Sequence, residues 1–228
     1  RGGRAYGLRG DDRDGCDQQR CAFGHRGIHR RLWHGRGRVE YRSIRCHGCG
    51  VSDHGLEEMC SDDFTNAGIN STFNKLRTGK ELDHEEQRKF RSAMLLQFAE
   101  WDWEKGWVQQ FHIGALRNNN SRMLRTLGKD TGWDSIGDFT QARSLAKFLD
   151  KLDKNNKLTK TILYNLNPAD NELFATMAGN FNDGSMAGKI QWGSAWWFLD
   201  QKDGMTKQLN ALSNMGLLSR FVGMITDS

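Results

Sequence analysis

Within nine residues, from His112 to Asn120, the chain offers an imidazole, a guanidinium and three carboxamides (Phe111-His-Ile-Gly-Ala-Leu-Arg-Asn-Asn-Asn120). An imidazole is the side chain best suited to move a proton near neutral pH. A guanidinium presents a planar fork of donors that matches a carboxylate in bidentate fashion. A strand that ends in His112 and spills into a polar, Gly-containing loop with Arg117 is how α/β enzymes present chemistry. The competing reading of a single histidine is a satisfied packing residue, so its position in the fold has to decide. Two smaller groups are less suggestive. Cys46-His-Gly-Cys49 has the spacing of half a zinc site or a redox pair, but no second Cys-x-x-Cys follows. His54 and Cys60 are poorly spaced to complete it, and five cysteines with no export signal fit reduced thiols. Asp53-His54-Gly55 reads as a polar turn closing a short strand; an Asp and a His adjacent on a strand point to opposite faces and make no acid/base pair with each other.

The elements that must position these groups follow from periodicity. Residues 62–105 read as helical. Asp83 with Glu86 three residues on has capping-box spacing, and Phe90, Ala93, Met94, Leu95, Phe98 and Trp101 recur at three- and four-residue steps up to Gly106. Four strand-like runs follow, Trp107–His112, Thr161–Asn165, Lys189–Gly193 and Phe221–Thr226. Helical patterns over Ile136–Leu152, Asn171–Asn180 and Gly204–Leu217 separate them. Strands alternating with helices imply an α/β fold with a parallel sheet and crossovers. No Gly-x-Gly-x-x-Gly follows any strand, which argues against a dinucleotide-binding sheet. Each run instead ends in polar or aromatic residues: His112 and Arg117, then Asn165-Leu-Asn-Pro168, then Gly193-Ser-Ala-Trp-Trp197, then Thr226-Asp-Ser228. Four loops that converge on one mouth are the layout of a (β/α)8 barrel site. Four strand–helix units make half of such a barrel, with the helical insertion standing before the His112 strand.

Composition narrows the field further. The 228 residues are 37% hydrophobic with mean hydropathy -0.73, and no apolar run approaches a membrane span. The amino-terminal residues lack the apolar core of a signal peptide, so the expected location is the cytoplasm. The net charge of +5 invites a nucleic-acid reading, but residues 1–45 hold twelve Arg against five acids, a balance of +7 that leaves −2 for residues 46–228. Residues 1–45 contain no lysine, much Arg and Gly, and no periodic element. They read as out-of-frame translation of GC-rich coding sequence, as a solvated tail, or as an Arg-rich arm contacting RNA. For the body of the chain, no nucleic acid and no membrane are expected.

The motifs Phe111–Asn120, Thr161-Ile-Leu-Tyr-Asn-Leu-Asn-Pro168, Gln191-Trp-Gly-Ser-Ala-Trp-Trp197 and Gly223-Met-Ile-Thr-Asp-Ser228 resemble those of the uronate (glucuronate) isomerases of the amidohydrolase superfamily. Asp130-Thr-Gly-Trp-Asp-Ser-Ile-Gly137 and Ser52-Asp-His-Gly-Leu-Glu57 fit the same family. The resemblance runs from about Gly48 to Ser228. It implies a domain over 46–228 that is an incomplete (β/α)8 barrel, comprising about the second half of the strands, with residues 1–45 unmatched. It implies interconversion of D-glucuronate with D-fructuronate and of D-galacturonate with D-tagaturonate, a proton shift between C1 and C2 through an enediol. It implies a divalent metal, commonly zinc, at the mouth, with Asp227 as ligand and catalytic residue. His112 would bond substrate or move the proton, Arg117 would take the carboxylate, and Trp197 would be an apolar wall. His54 and Asn165 would complete the substrate-binding set. The resemblance is compatible with a homo-oligomer of the full-length protein. Two departures stand out: the family's His-x-His metal pair occurs nowhere in the chain, and the family carries an Arg just beyond the position of Ser228. A barrel half with exposed strand edges is expected to be inactive and aggregation-prone. A metal-dependent hydrolase of the same superfamily is the second reading, and RNA binding through the basic segment the third.

Overall fold

A computed structural model of the chain describes residues 50–224. Its frame is a four-stranded, all-parallel sheet of β1 (Val51–Leu56), β2 (Val108–Ile113), β5 (Thr161–Asn165) and β6 (Ile190–Trp192), in the spatial order β1-β2-β5-β6. A short antiparallel pair, β3 (Ala115–Leu116) and β4 (Ser135–Ile136), lies in the loop region after β2. The helices are α1 (Asn66–Arg77), α2 (His84–Lys105), α3 (Ser121–Leu127), α4 (Ala142–Asp153), α5 (Asn171–Asn180) and α6 (Lys202–Met215).

Local chemistry accounts for the helix ends. Asp83 caps α2 by accepting from the Glu86 N–H (2.8 Å), while Glu86 accepts from the Asp83 N–H (3.3 Å), the reciprocal box its spacing predicts. Gly106 ends the helix at φ +67°, a left-handed turn that glycine adopts without strain. The expected helical block over 62–105 is two helices, because Thr65 caps α1 separately and Thr78 and Gly79 close it.

The sheet's two faces differ in kind. One face carries Phe111, Ile113, Leu163 and Trp192, packed with Leu145, Phe148, Leu149 and Leu152 of α4, Phe174 and Ala178 of α5, and Leu212 of α6. The four α4 residues sit at i, i+3, i+4 and i+7, the stripe that turns one helix side onto a sheet. A second cluster joins α1 and α2 through Ile69, Phe73, Phe90, Met94, Phe98 and Trp101, with Trp107. On the opposite face lies a small cluster of Ala115, Tyr164, Leu166 and Trp196, with Ile162 and Trp197 against it.

Three expectations are corrected here. Val51–Leu56 is a full strand, in register with β2 from Val51↔Val108 to Leu56↔Ile113, rather than a turn. Its brevity and its Asp-His-Gly centre hide a strand that is specified by its neighbour. Phe221–Thr226 carries no strand over residues 221–224, and Ile225–Ser228 lie outside the described residues. The helix expected from Ile136 begins at Ala142, since Ser135 and Ile136 pair with Leu116 and Ala115. No helix among the described residues is long and apolar enough to cross a membrane.

Candidate active site

Side chains alternate along a strand, so register decides which face each residue serves. In β2, Phe111 and Ile113 face the helices; Gln110 and His112 face the other way. In β1 the same parity sets Asp53 beside His112. The Asp53 Oδ1 accepts from His112 Nδ1 at 2.7 Å, and the two belong to adjacent, directly hydrogen-bonded strands. A carboxylate can only accept, so this contact fixes the proton on Nδ1 and makes Nε2 the basic nitrogen. The His112 ring is 7% exposed, buried enough to be held by its neighbours rather than by water. Its face stacks on Tyr164 (4.2 Å between centroids, 6° between planes) and its edge meets Trp196 (4.7 Å, 76°).

Arg117 reaches the same region from the loop beyond β3. Its guanidinium carbon lies 4.7 Å from the Trp197 ring centre, a cation–π contact. Asp130 and Asp134 stand 3.5 and 3.9 Å from its Nη1. Asp134 also accepts from the Asn118 N–H (2.7 Å), and Asn118 takes the left-handed φ of +56° that asparagine tolerates. Trp197 itself has φ +47°, a strained conformation for a bulky residue. That strain turns the ring beneath Arg117 and against Trp196, 4.7 Å away between centroids. Gly55 faces Arg117: a Cβ there would stand 3.7 Å from Nη2.

His112, Arg117 and Trp197 are thus brought together. His54 and Asn165 are not. His54 faces the helices, stacked between Phe98 (5.6 Å) and Phe111 (5.4 Å), because its register partner is Phe111. Asn165 shares the helix-facing parity of Leu163. Its Nδ2 donates to the Asn167 carbonyl and to Asn171 Oδ1 (both 2.8 Å), and its Oδ1 accepts from Trp192 Nε1 (2.7 Å). Its backbone carbonyl accepts from Trp196 Nε1 (2.9 Å), so Asn165 anchors the aromatic loop rather than lining the mouth. Asp227 lies outside the described residues. Sequence reasoning misses Asp53, Tyr164 and Trp196. The signal that finds the first is the strand-pair register, which puts every second residue of β1 beside every second residue of β2.

Among the described residues no group of three or more His, Cys, Asp or Glu is placed to hold a metal ion. Asp53 and His112 are two candidate donors already bonded to each other, so the described residues do not fit a metal by themselves. A separate cleft of about 470 Å³, lined among others by Ala178, Ile190, Trp192, Leu212, Met215 and Phe221, opens beside β6 and contains none of the expected site residues.

The chain was compared with known proteins. A family model described as glucuronate isomerase matches residues 36–228, so the match begins inside the Arg-rich segment and not at its expected end near residue 45. Uronate isomerases of Bacteroides thetaiotaomicron and Flavobacterium johnsoniae are 67% and 63% identical over 181 and 193 residues, covering 79% and 85% of this chain. The chain spans about two fifths of these relatives' length (39% and 41%). The solved uronate isomerase of Thermotoga maritima superposes with a TM-score of 0.76 at 33% identity, over 83% of this chain and 40% of that one. The glucuronate isomerase of Caulobacter crescentus does so with 0.75 at 25% identity, over 88% and 41%. The polar face carrying Asp53, His112 and Arg117 is thus part of a fold shared with these enzymes, and the chain belongs to the glucuronate isomerase family.

Proposed function

We propose that the polar face of the sheet serves aldose–ketose isomerisation of hexuronates, D-glucuronate with D-fructuronate and D-galacturonate with D-tagaturonate. The observation that carries the reading is the pairing of a proton-transfer dyad with a cation on one face: Asp53–His112 at 2.7 Å, and Arg117 on Trp197. The dyad holds the basic Nε2 of His112 for a proton moving between C1 and C2. Arg117 takes the substrate carboxylate, and Trp196 and Trp197 keep water from the enediol. On this reading the four-stranded parallel sheet is an arc of a (β/α)8 barrel, with β1, β2, β5 and β6 as consecutive staves. The divalent metal expected of the family, with Asp227 among its ligands, would need donors beyond the described residues. A cytoplasmic location fits a catabolic enzyme of small sugar acids. The hydrolase reading gains nothing from the comparisons, whose named relatives are isomerases.

The segment alone is expected to be inactive, so the test is conversion of D-glucuronate to D-fructuronate by a full-length isomerase carrying this chain, with D-glucose as the control lacking the carboxylate. Formation of the ketose from D-glucuronate and not from D-glucose supports the proposal. Conversion of neither D-glucuronate nor D-galacturonate counts against it.

A further inference from the structure

Resting on that reading, we propose that Tyr164 is a positioning residue for His112, and that Gly193 exists to seat it. Among the described residues, Asp53 at Nδ1, the ring of Tyr164 and the ring of Trp196 contact the imidazole. Of these, the stack with Tyr164 lies against the ring's face and so opposes tilting of the ring plane. The geometry is close to parallel, 6° at 4.2 Å, so a small rotation of either ring loses overlap. Tyr164 is itself fixed through its hydroxyl and through its ring. Its hydroxyl donates to Gln110 Oε1 (3.2 Å), a residue on the same strand and the same face as His112. Its ring occupies the volume above Gly193: a Cβ at that position would overlap the ring at three atoms. Gly193 has no positive φ to explain it, so close approach is the requirement that selects glycine here. The Gly193 carbonyl accepts from Gln208 Nε2 of α6, and the Gly193 N–H donates to the Leu163 carbonyl (2.8 Å). A chain of contacts therefore runs from α6 through Gly193 and Tyr164 to the imidazole.

The mechanism is orientation. A ring free to tilt would weaken the Asp53 contact, let the proton exchange between Nδ1 and Nε2, and spoil the geometry that proton transfer demands. Two variants reach the same ring by different routes, so a folding defect in one leaves the other informative. Tyr164→Leu removes the stack; Gly193→Ala leaves Tyr164 intact and displaces it. Tyr164→Phe keeps the stack without the hydroxyl.

The measurement is the ¹⁵N spectrum of His112, which reports the tautomer without requiring turnover. The wild type and Tyr164→Phe are expected to hold the Nδ1–H form, and Tyr164→Leu and Gly193→Ala to show a mixture of the two. Where hexuronate turnover is measured, kcat falls about 10²-fold in the two disruptive variants while KM stays unchanged. Retention of the single tautomer in both Tyr164→Leu and Gly193→Ala overturns the proposal, as does a mixture in Tyr164→Phe. A wild type that holds the tautomer but converts no hexuronate counts against the isomerase reading alone. Turnover that needs His112 but is indifferent to Tyr164 and Gly193 counts against the positioning role alone.

Discussion

His54 and His112 stand on neighbouring strands one register position apart, and they serve opposite sides of one sheet. His54 pairs with Phe111 and stacks among aromatic rings beneath the helices; His112 pairs with Gly55 and bonds Asp53 on the other face. Nothing in the residue type separates them. The difference lies in parity: one step along a strand moves a side chain from the layer that holds the fold to the layer proposed to do chemistry. The helix-facing layer is apolar and closed, with Phe111, Leu163 and Trp192 at 2% exposure or less. The opposite layer is polar, strained at Trp197 and built from ring contacts rather than from a large core.

If the two layers are separable, substitutions should divide between them. The largest effect is expected on the polar side: Asp53→Ala releases the Nδ1 proton of His112 and should lower hexuronate turnover about 10²–10⁴-fold. Its urea midpoint should fall modestly, by about 1–3 kcal/mol of stability, since the 27% exposed carboxylate is removed from the buried imidazole N–H. On the helix side, Phe111→Ala should cost about 3–5 kcal/mol in urea unfolding, because the ring is 1% exposed and packs edge-on against Phe148 at 5.4 Å. A reversed pattern, with Asp53→Ala unfolding the chain and Phe111→Ala harmless, would break the comparison.

A finer division concerns Arg117. Lysine keeps the charge but loses the planar fork that stacks on Trp197 and meets a carboxylate. Arg117→Lys should raise KM for D-glucuronate about tenfold, roughly 1.4 kcal/mol, with kcat nearly unchanged. A fall in kcat at constant KM would place Arg117 in the chemical step instead.

The smallest effect belongs to neither layer. Asp63, beyond β1, is held down to about 2 by hydrogen bonds from Lys147 and then Lys151 of α4. An acid whose folded pKa lies below its ordinary 3.8 adds stability that is complete above that value and is lost as pH falls toward 2. Because the carboxylate is fully exposed, solvent screens the contribution. Asp63→Asn should therefore be slightly less stable than the wild type at pH 7 and converge with it as pH falls from 4 to 2; urea midpoints from pH 7 down to pH 2 check it.

How far the sequence anticipates this architecture depends on whether a signal is local. The α2 capping box, the β5 strand and the α5 helix rest on contacts within a few residues, and all three are where periodicity places them. His112 and Arg117 are found because they lie within six residues of one strand end. Val51–Leu56 defeats local reading, since its polar centre makes sense only beside β2. The same long-range pairing hides Asp53, 59 residues from His112, and turns Asn165 toward the helix-facing side. Parity is invisible until it is known which side of each strand the helices cover.

The claim that one face of the sheet carries the chemistry is tested most directly by two substitutions of the same kind. His54→Gln and His112→Gln are compared by following deuterium incorporation at C2 of D-glucuronate in D₂O. In a full-length isomerase carrying this chain, His54→Gln is expected to retain exchange and lose about 1–2 kcal/mol of stability, while His112→Gln stays folded and loses exchange about 10²-fold or more. Equal exchange in the wild type and His112→Gln, or loss of exchange in a folded His54→Gln, would contradict it.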